Sequence, residues 1–427
     1  MTAGAAPTGD GDRLSAIASA LRLAARRFGT PVYVTDVASL DGAAAAVRVA
    51  FPDPWIRQYS VKANDVAGIV RLVCERGFGA NAVSSGEWAV ARKAGLSNDR
   101  ITLEGVGKTD ADLRAAVRAA REGRPLKWLA VESADEADAL RRLAASARLM
   151  EPIDVLLRLN PDVAPETHDG LAVGRRGSKF GMDESELTQT VERLGEGPIR
   201  VRGIHVHVGS QLGAVDAWRD AVRRALALLA LIRGSRPGAD TLDVGGGFPV
   251  GRLGSPMPGP DRFAREIPAL AEGIPPDRQP KRWAIEPGRA LVARAGWLVS
   301  RVLHVRERGG PQVVIDVGMT ELIRPALYGA IHPIVALTSL GRPVERWAVS
   351  ATASRTRVEG PICEATDLLG EHDLPALRRG DLVAIRDAGA YAASMASTYN
   401  GRPRRRQLVL WPNGRLALAT GRGAMLG

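Results

Sequence analysis

The chain has 427 residues, of which 45% are hydrophobic and 25% charged, and a formal net charge of +11 at pH 7. This length predicts two domains, because single hydrophobic cores stop growing near ~250–300 residues. The arginines behind the charge are scattered singly over helical segments and aromatic residues make up only 4%, which argues against nucleic-acid binding.

Two cysteines, Cys74 and Cys363, are too few for a disulfide framework or a cysteine-rich metal site. This usage is typical of a reducing compartment, and no metal is expected. Residues 1–13 lack the basic start and apolar centre of a signal peptide. No apolar run approaches the ~20 residues that a membrane span requires. We therefore expect a cytoplasmic protein with no membrane partner.

The N-terminal segment, residues 1–35, is predicted to pack on the C-terminal domain. Its first 12 residues are small and polar and are predicted to be disordered. Apolar residues at helical spacing follow at Leu14, Ile17, Leu21 and Ala25. A short strand is predicted over Pro31–Val34 and a helix over Val37–Phe51.

From Trp55 onwards, strand-like and helix-like segments alternate. The predicted strands are Gln58–Val61, Ala80–Val83, Ile101–Glu104, Leu129–Glu132, Val155–Leu159, Gly203–His207, Leu242–Val244 and Trp283–Ile285. Eight such strands predict an α/β protein with a (β/α)8 barrel over residues 36–289. A doubly wound open sheet is the alternative, but no Gly-x-Gly-x-x-Gly motif opens a helix after the first strand.

After Gly288 the helical patterns nearly vanish. The strand-like segments there are Trp297–Val305, Gln312–Asp316, Arg346–Thr352, Asp381–Ile385 and Gln407–Leu410. Pro412, Asn413 and Gly414 form a hairpin-turn signal. We predict an all-β domain over residues 290–427.

The residues best suited to chemistry follow the predicted barrel strands, at the end where such barrels carry their active sites. They are Lys62, Ser84–Gly86, Gly105–Lys108, Glu132, Arg158, His207, Ser210, Gly245–Gly247 and Glu286–Arg289. A lysine at the end of a buried strand can be held as the neutral amine that forms Schiff bases. The alternative is that Lys62 is an ordinary surface lysine, since most lysines are exposed.

Three glycines, Gly245, Gly246 and Gly247, would let backbone amides approach an anion, and Arg289 adds a forked cation. The loops after the last two strands are the usual phosphate site of this fold. Glu286 ends an apolar strand and needs a partner, while a lone histidine such as His207 is by default structural. Phosphate site, amine, carboxylate and histidine on one rim together describe a pyridoxal phosphate site.

The same residues resemble the fold-type III pyridoxal phosphate-dependent decarboxylases, most closely the diaminopimelate decarboxylases. The matching motifs cover residues 31 to 403. They are Pro31-Val-Tyr-Val-Thr-Asp36, Tyr59-Ser-Val-Lys-Ala-Asn64, Ser178-Lys-Phe-Gly181, His205-Val-His-Val-Gly-Ser-Gln211, Asp243-Val-Gly-Gly-Gly-Phe248, Glu286-Pro-Gly-Arg289, Arg324-Pro-Ala-Leu-Tyr328, Cys363-Glu364, Gly389-Ala-Tyr391 and Tyr399-Asn400.

The resemblance implies roles around the cofactor, pyridoxal 5'-phosphate. Lys62 would hold it through a Schiff base, His207 would stack on the pyridine ring, and Glu286 would pair with the ring nitrogen. The other cofactor contacts would come from Arg158, Ser210, Gly245, Gly246, Gly247, Arg289 and Tyr391.

Substrate contacts would come from Arg289, Arg324, Tyr328, Glu364 and Tyr391. The resemblance also implies a homodimer with shared active sites. There, Cys363 would be the proton donor in the partner subunit's site, and Glu364 would reach the distal amine of the substrate.

Three features depart from the family pattern. Asn81 stands where an aspartate is usual, Ala365 replaces a serine after Cys363-Glu364, and the segment Gly174–Gly177 is unusually basic. They leave the substrate open between meso-diaminopimelate, which would give L-lysine, and another amino acid of a specialised pathway.

Two other classes of protein are weighed. A racemase on the same barrel is disfavoured by Glu286, because that family typically places an arginine at the ring nitrogen. A non-enzymatic regulator or polyanion-binding protein is disfavoured by the retention of Lys62, His207 and Cys363.

Overall fold

The computed structural model describes residues 10–251, 257–344 and 353–419, apart from the side chains of residues 10–14. Helix α1 spans Asp10–Phe28, strand β1 Val32–Asp36 and helix α2 Val37–Ala50. Residues 10–12, predicted to be disordered, therefore begin a helix. Residues 1–9 and the predicted strand Arg346–Thr352 lie outside the described residues.

Eight parallel strands close into a barrel, and all eight match predicted strands to within four residues at each end. Ile56 in the first strand pairs with Ala284 in the last, which closes the ring. The (β/α)8 prediction is confirmed and the open sheet is excluded. The barrel strands are β2 Ile56–Ser60, β3 Gly79–Ala82, β4 Ile101–Leu103, β5 Trp128–Val131, β6 Ile153–Leu159, β7 Ile199–Val206, β8 Thr241–Asp243 and β9 Arg282–Ile285.

Helices follow the barrel strands closely, because several loops provide an N-cap directly after the strand. Ser84 and Ser133 accept hydrogen bonds from the amides of Glu87 and Glu136, three residues later. The loops that follow β3 and β5 on this rim are therefore short. The helices are α3 Ala67–Cys74, α4 Ser85–Lys93, α5 Asp110–Arg121, α6 Ala134–Ala145, α7 Glu184–Leu194, α8 Asp216–Ser235, α9 Pro260–Ala264, α10 Ile267–Glu272 and α11 Arg289–Val292.

The chain divides into two compact units, residues 42–291 and residues 1–41 with 292–427. In the second unit, the parallel partner of β1 comes from the C-terminal end of the chain, where Val34 pairs with Leu408. The elements of this unit are β10 Gly296–Glu307, β11 Pro311–Ile315, α12 Arg324–Tyr328, β12 Ile334–Ala336, β13 Thr338–Ser339, β14 Arg342–Pro343, β15 Ser354–Glu359, β16 Leu368–Leu374, β17 Leu382–Ile385, β18 Arg406–Leu410 and β19 Leu416–Leu418.

The sheet of this second unit has an apolar core on each face. Strand β10 alternates between them, with Leu298 and Val302 in one core and Trp297 and Val299 in the other. The predicted hairpin turn joins β18 and β19, which pair antiparallel. Strands β12 to β16 and β19 had not been predicted. Strand β15 reads Ser-Arg-Thr-Arg-Val-Glu, and this polar sequence does not indicate a strand.

None of the helices in the described part of the chain has the length and apolar character that a bilayer span requires.

Candidate active site

Lys62 lies in a single 3-10 turn, Val61–Ala63, immediately after β2. The predicted strand end at Val61 was thus one residue too long. Ser60 ties this turn to the segment after β9, since its amide donates to the Pro287 carbonyl oxygen at 3.2 Å and its hydroxyl to the Glu286 carbonyl oxygen at 3.1 Å. The first and last barrel strands therefore hold the half-buried Lys62 at the rim.

A second lysine, Lys108, also follows a barrel strand but is occupied in the structure. Its Nζ lies 3.0 Å from Glu136 Oε1 and donates to the Gly105 carbonyl oxygen at 2.5 Å. These two contacts engage the Lys108 amine within the protein. Lys108 is therefore poorly suited to Schiff-base chemistry.

The other four lysines, all within described residues, are also unsuitable. Lys127 and Lys281 precede β5 and β9 and lie at the opposite end of the barrel. Lys93 is in the last turn of α4, and Lys179 is exposed with its Nζ 5.5 Å from the Phe180 ring centroid. Lys62 remains the best amine for a cofactor.

The glycine loop after β8 cannot carry side chains. Gly245 and Gly247 have φ of +69° and +94°, where residues with a Cβ are strained. A Cβ on Gly245 would come to 2.5 Å from the Val206 carbonyl oxygen, and one on Gly246 would overlap the Glu286 carbonyl oxygen. Only glycine therefore fits at these positions, and the amides of Gly245 and Gly246 donate within the protein, to Asp243 Oδ1 at 2.9 Å and to His207 Nδ1 at 3.1 Å.

Two polar side chains complete the anion site. Arg289, the first residue of α11, donates from Nη2 to Ser210 Oγ at 3.0 Å. Arg289 is buried and Ser210 half-buried. A buried guanidinium beside a hydroxyl and a glycine loop matches the donors that bind a phosphate group.

His207 is held neutral, with its proton on Nε2. The amide of Gly246 donates to His207 Nδ1 at 3.1 Å, so Nδ1 is the acceptor. Burial, and then the charge of Lys62, lowers the pKa of His207 well below its ordinary value. A neutral imidazole is suited to packing on an aromatic ring, the role that the resemblance implies.

Glu286 is buried at the end of β9. Asn81 Nδ2 donates to Glu286 Oε1 at 2.5 Å, and His205 Nε2 lies 3.5 Å from Glu286 Oε2. The partner that the sequence analysis expected for Glu286 is thus Asn81. The sequence had drawn attention to Asn81 only because the family usually has an aspartate there. Glu104, His205 and Asp243, which lie around Glu286, had no predicted role, because nothing in the sequence shows which strand residues point into the barrel.

Arg158 is bound by other groups of the rim. Its Nη1 donates to Glu132 Oε1 at 2.6 Å, and its guanidinium carbon lies 4.8 Å from the Phe180 ring centroid. The Arg158 guanidinium in turn contributes to a pKa of Glu132 below its ordinary value, against the effect of burial. A direct cofactor contact of Arg158 stays a prediction.

The basic segment Gly174–Gly177 is exposed over its last three residues and finds acidic partners. Arg175 Nη1 lies 2.9 Å from Asp169 Oδ1, and the Arg176 amide donates to Asp162 Oδ1 at 2.8 Å. These contacts tie the segment to two acidic residues of the same loop region.

Arg324, in the second unit, is oriented by a histidine. His332 Nδ1 lies 3.1 Å from the Arg386 carbonyl oxygen and must donate to it, so Nε2 accepts from Arg324 Nη1 at 3.0 Å. The backbone carbonyl thereby selects the tautomer that holds the buried guanidinium. Tyr328 ends the same short helix, α12.

Cys363 and Glu364 are exposed. The segment that carries them is held in place by Asp367, a few residues later. Asp367 accepts the amides of Met319 at 2.6 Å and Ile362 at 2.7 Å. Glu364 Oε1 accepts from Tyr399 at 2.7 Å. Asp367, which holds this segment, had no predicted role.

Asn400 and Tyr391, which also belong to the motifs of the resemblance, have distinct local settings. The amide of Cys363 donates to Asn400 Oδ1 at 3.3 Å. Tyr391 has φ of +57°, a strained left-handed conformation for a tyrosine.

The barrel residues fit pyridoxal phosphate. Lys62 offers an amine, Arg289 and Ser210 offer anion donors, and the glycine loop after β8 leaves no room for side chains. Glu286 supplies a buried carboxylate for a ring nitrogen.

Comparison with known proteins gives a family. Residues 37–293 match the model of the pyridoxal-dependent decarboxylase, pyridoxal binding domain. The diaminopimelate decarboxylase of Deinococcus radiodurans is 37% identical over 393 residues, which cover 92% of this chain and 93% of that protein. That of Aquifex aeolicus is 35% identical over 402 residues, covering 93% and 90%.

Solved structures agree with this result. The crystal structure of diaminopimelate decarboxylase from Helicobacter pylori complexed with L-lysine is 28% identical, with a TM-score of 0.83 over 93% of this chain and 95% of that one. The lysine/ornithine decarboxylase of Vibrio vulnificus, 23% identical with a TM-score of 0.76 over 92% and 98%, shares the fold. This chain therefore belongs to the pyridoxal-dependent decarboxylase family, as a pyridoxal phosphate enzyme related to the diaminopimelate decarboxylases.

Proposed function

We propose that this enzyme decarboxylates meso-diaminopimelate to L-lysine and carbon dioxide. The observation that carries the proposal is the barrel rim with Lys62, the glycine loop and Glu286, in a chain that matches named diaminopimelate decarboxylases over more than nine-tenths of its length. The Helicobacter pylori relative, crystallised with L-lysine, supports the product.

When bound, pyridoxal phosphate supplies an electron sink for the pair left by the departing carboxyl group. Lys62 holds the cofactor, and the glycine loop, Ser210 and Arg289 bind its phosphate. Glu286 keeps a proton on the ring nitrogen, because an opposite charge favours the protonated form. The neutral His207 would pack on the ring.

The distal end of the substrate is read by two groups that the structure holds in place. His332 orients the Arg324 guanidinium, which suits a carboxylate, and Tyr399 orients the Glu364 carboxylate, which suits an ammonium group. A substrate that ends in a second amino acid group, as meso-diaminopimelate does, provides both.

The wild-type enzyme should release carbon dioxide from meso-diaminopimelate in preference to lysine, ornithine, arginine and glutamate. Each lacks at least one of the two distal charges, and one lost charge-assisted hydrogen bond of about 1.5–3 kcal/mol predicts a loss of about tenfold to a hundredfold in kcat/KM. Radiometric or manometric carbon dioxide release across the five compounds measures the order.

Arg324→Gln should remove most of this preference and raise KM for meso-diaminopimelate, whereas the exposed Arg306→Gln in the same unit is the matched control. If meso-diaminopimelate releases no carbon dioxide while the cofactor is demonstrably bound, the substrate is wrong and another amino acid takes its place.

We also propose a cytoplasmic homodimer in which Cys363 and Glu364 serve the partner subunit's site, with Cys363 as proton donor. Both cysteines are unbridged, as a reducing compartment favours. The exposed Cys363 segment fits a group that becomes covered by another subunit.

Mixing Lys62→Ala and Cys363→Ala homodimers should restore activity when subunits exchange. One of the two sites in each hybrid would then have both residues intact, so activity should approach about one quarter of wild type when half the dimers are hybrids. Native mass spectrometry of differently tagged subunits measures the exchange. Verified hybrids without activity would show that Cys363 does not act across the interface.

A further inference from the structure

A layer of buried acids surrounds Glu286 inside the barrel. Glu104 follows β4, Asp243 ends β8, and Glu286 follows β9; their exposed fractions are 4%, 0% and 4%. Asn81 on β3 and His205 on β7 complete the layer, and each is 1% exposed. Five buried polar side chains from five strands therefore share a small volume.

The acids of this layer have no cationic side chain beside them. His205 Nε2 is 3.5 Å from Glu286 Oε2 and 3.8 Å from Glu104 Oε2, and one atom of each of the three residues lies within 4.8 Å of the others. In the part of the chain that the structure describes, no lysine or arginine nitrogen lies within 4 Å of the three carboxyl groups.

Three buried carboxyl groups so close together cannot all be ionised. Burial, and then the charge of Glu286, raises the pKa of Glu104 to about 8. Burial, and then the charges of Glu286 and Glu104, raise the pKa of Asp243 well above its ordinary value. His205 cannot compensate as a cation, because burial lowers its pKa to about 4.

Glu286 and Glu104 differ in their hydrogen bonds. Asn81 donates to Glu286 Oε1 at 2.5 Å, whereas its bond to Glu104 is the smallest of the effects on the pKa of Glu104, which burial and the charge of Glu286 raise. Glu104 Oε1 has no hydrogen-bond partner among the described residues. The two acids therefore differ in the hydrogen bonds that stabilise a charged carboxylate.

We propose that Glu104 is a positioning residue that carries the proton shared with Glu286. It thereby keeps the charge of this layer on the carboxylate assigned to the cofactor nitrogen. The inference rests on the proposed function, because the role of Glu286 does. Glu104 faces Glu286, Asp243, His205 and Asn81, while the charges of Lys62 and Arg158 act on His205.

Infrared spectroscopy of the holoenzyme at pH 7 tests the proton directly, without turnover. Glu104→Gln should remove one carbonyl stretch of a protonated carboxylic acid. Glu266→Gln is the matched control and should not, since contacts with Arg219 and Arg262 lower the pKa of that carboxyl group. No lost band in Glu104→Gln would overturn the proposal, and so would a divalent ion held by Glu104, His205 and Glu286 that keeps Glu104 ionised.

Thermal unfolding against pH gives a second readout. Between its ordinary pKa near 4.5 and about 8, Glu104 keeps its proton when folded and releases it when unfolded, so its contribution to stability falls as pH rises. The Tm of Glu104→Gln should therefore fall less than that of wild type between pH 5 and pH 8. Parallel Tm curves would contradict the proposal.

Kinetics separate this role from a merely structural one. A glutamine amide can donate to Glu286 as a protonated acid does, so Glu104→Gln should keep kcat within about twofold of wild type. Glu104→Leu removes the donor and should lower kcat about tenfold with little change in KM. Equal losses in both variants would mean that an ionised carboxylate is needed at this position, which overturns the proposal even where decarboxylation itself is confirmed.

Discussion

Lys62→Ala should leave the protein without covalently attached pyridoxal phosphate and lower turnover by at least about 10³-fold. The physical reason is the rim geometry: Lys62 is the half-buried amine of the 3-10 turn, whereas Lys108 is bound to Glu136 and Gly105. Borohydride reduction followed by peptide mass spectrometry measures the attachment, and carbon dioxide release measures the turnover.

Lys179→Ala is the matched control, because Lys179 is exposed on the segment after β6. It should keep both the cofactor and nearly all activity. Reduced cofactor found on Lys108 or Lys179 of the wild-type enzyme would refute the assignment. A Lys62→Ala variant that still traps cofactor covalently would do the same.

Glu286→Gln should keep the cofactor but lose about tenfold to a thousandfold in kcat. A neighbouring carboxylate shifts the pKa of its cationic partner by about 1–3 units, and each unit is worth about 1.4 kcal/mol. The glutamine can still accept the hydrogen bond from Asn81, so the fold of the layer is preserved while the charge is lost. Steady-state kinetics, with cofactor content measured separately, give the result.

Glu286→Asp is the matched variant, since it keeps the charge on a shorter side chain. It should retain more activity than Glu286→Gln. Unchanged turnover in the glutamine variant would show that Glu286 does not hold the ring proton. A Glu286→Gln protein that loses the cofactor altogether would instead give this carboxylate a role in binding.

The barrel was predictable because its hydrophobic pattern is local. Each strand is a short apolar run, and several are followed by a helix with its own side-chain cap, as at Ser84 and Ser133. In the β-rich unit the same reading missed β15, because alternating arginines leave only Thr356 and Val358 facing inwards. Such a polar sequence predicts a strand only weakly. The segment is a strand because it pairs with β11 and β16.

The candidate residues divide in a similar way. Lys62, the glycine loop, Glu286 and Arg289 were chosen as candidates because each follows a strand, where unusual residue types stand out in the sequence. His332 was missed, since its role depends on a carbonyl oxygen at Arg386, 54 residues away. Glu104 and Asp243 were given no role, because the sequence does not show which residues of a strand point into the barrel.

By itself, then, the sequence determined the barrel, the order of its strands and which residues stand on its rim, because periodicity and turn residues act over a few positions. Tertiary structure alone decided the surroundings of Glu286, and with them the choice of which acid we propose to be charged. That choice depends on Asn81, Glu104, His205 and Asp243 being brought from four other strands to within a few ångströms of Glu286. Burial and charge interact through space, and the sequence does not record those distances.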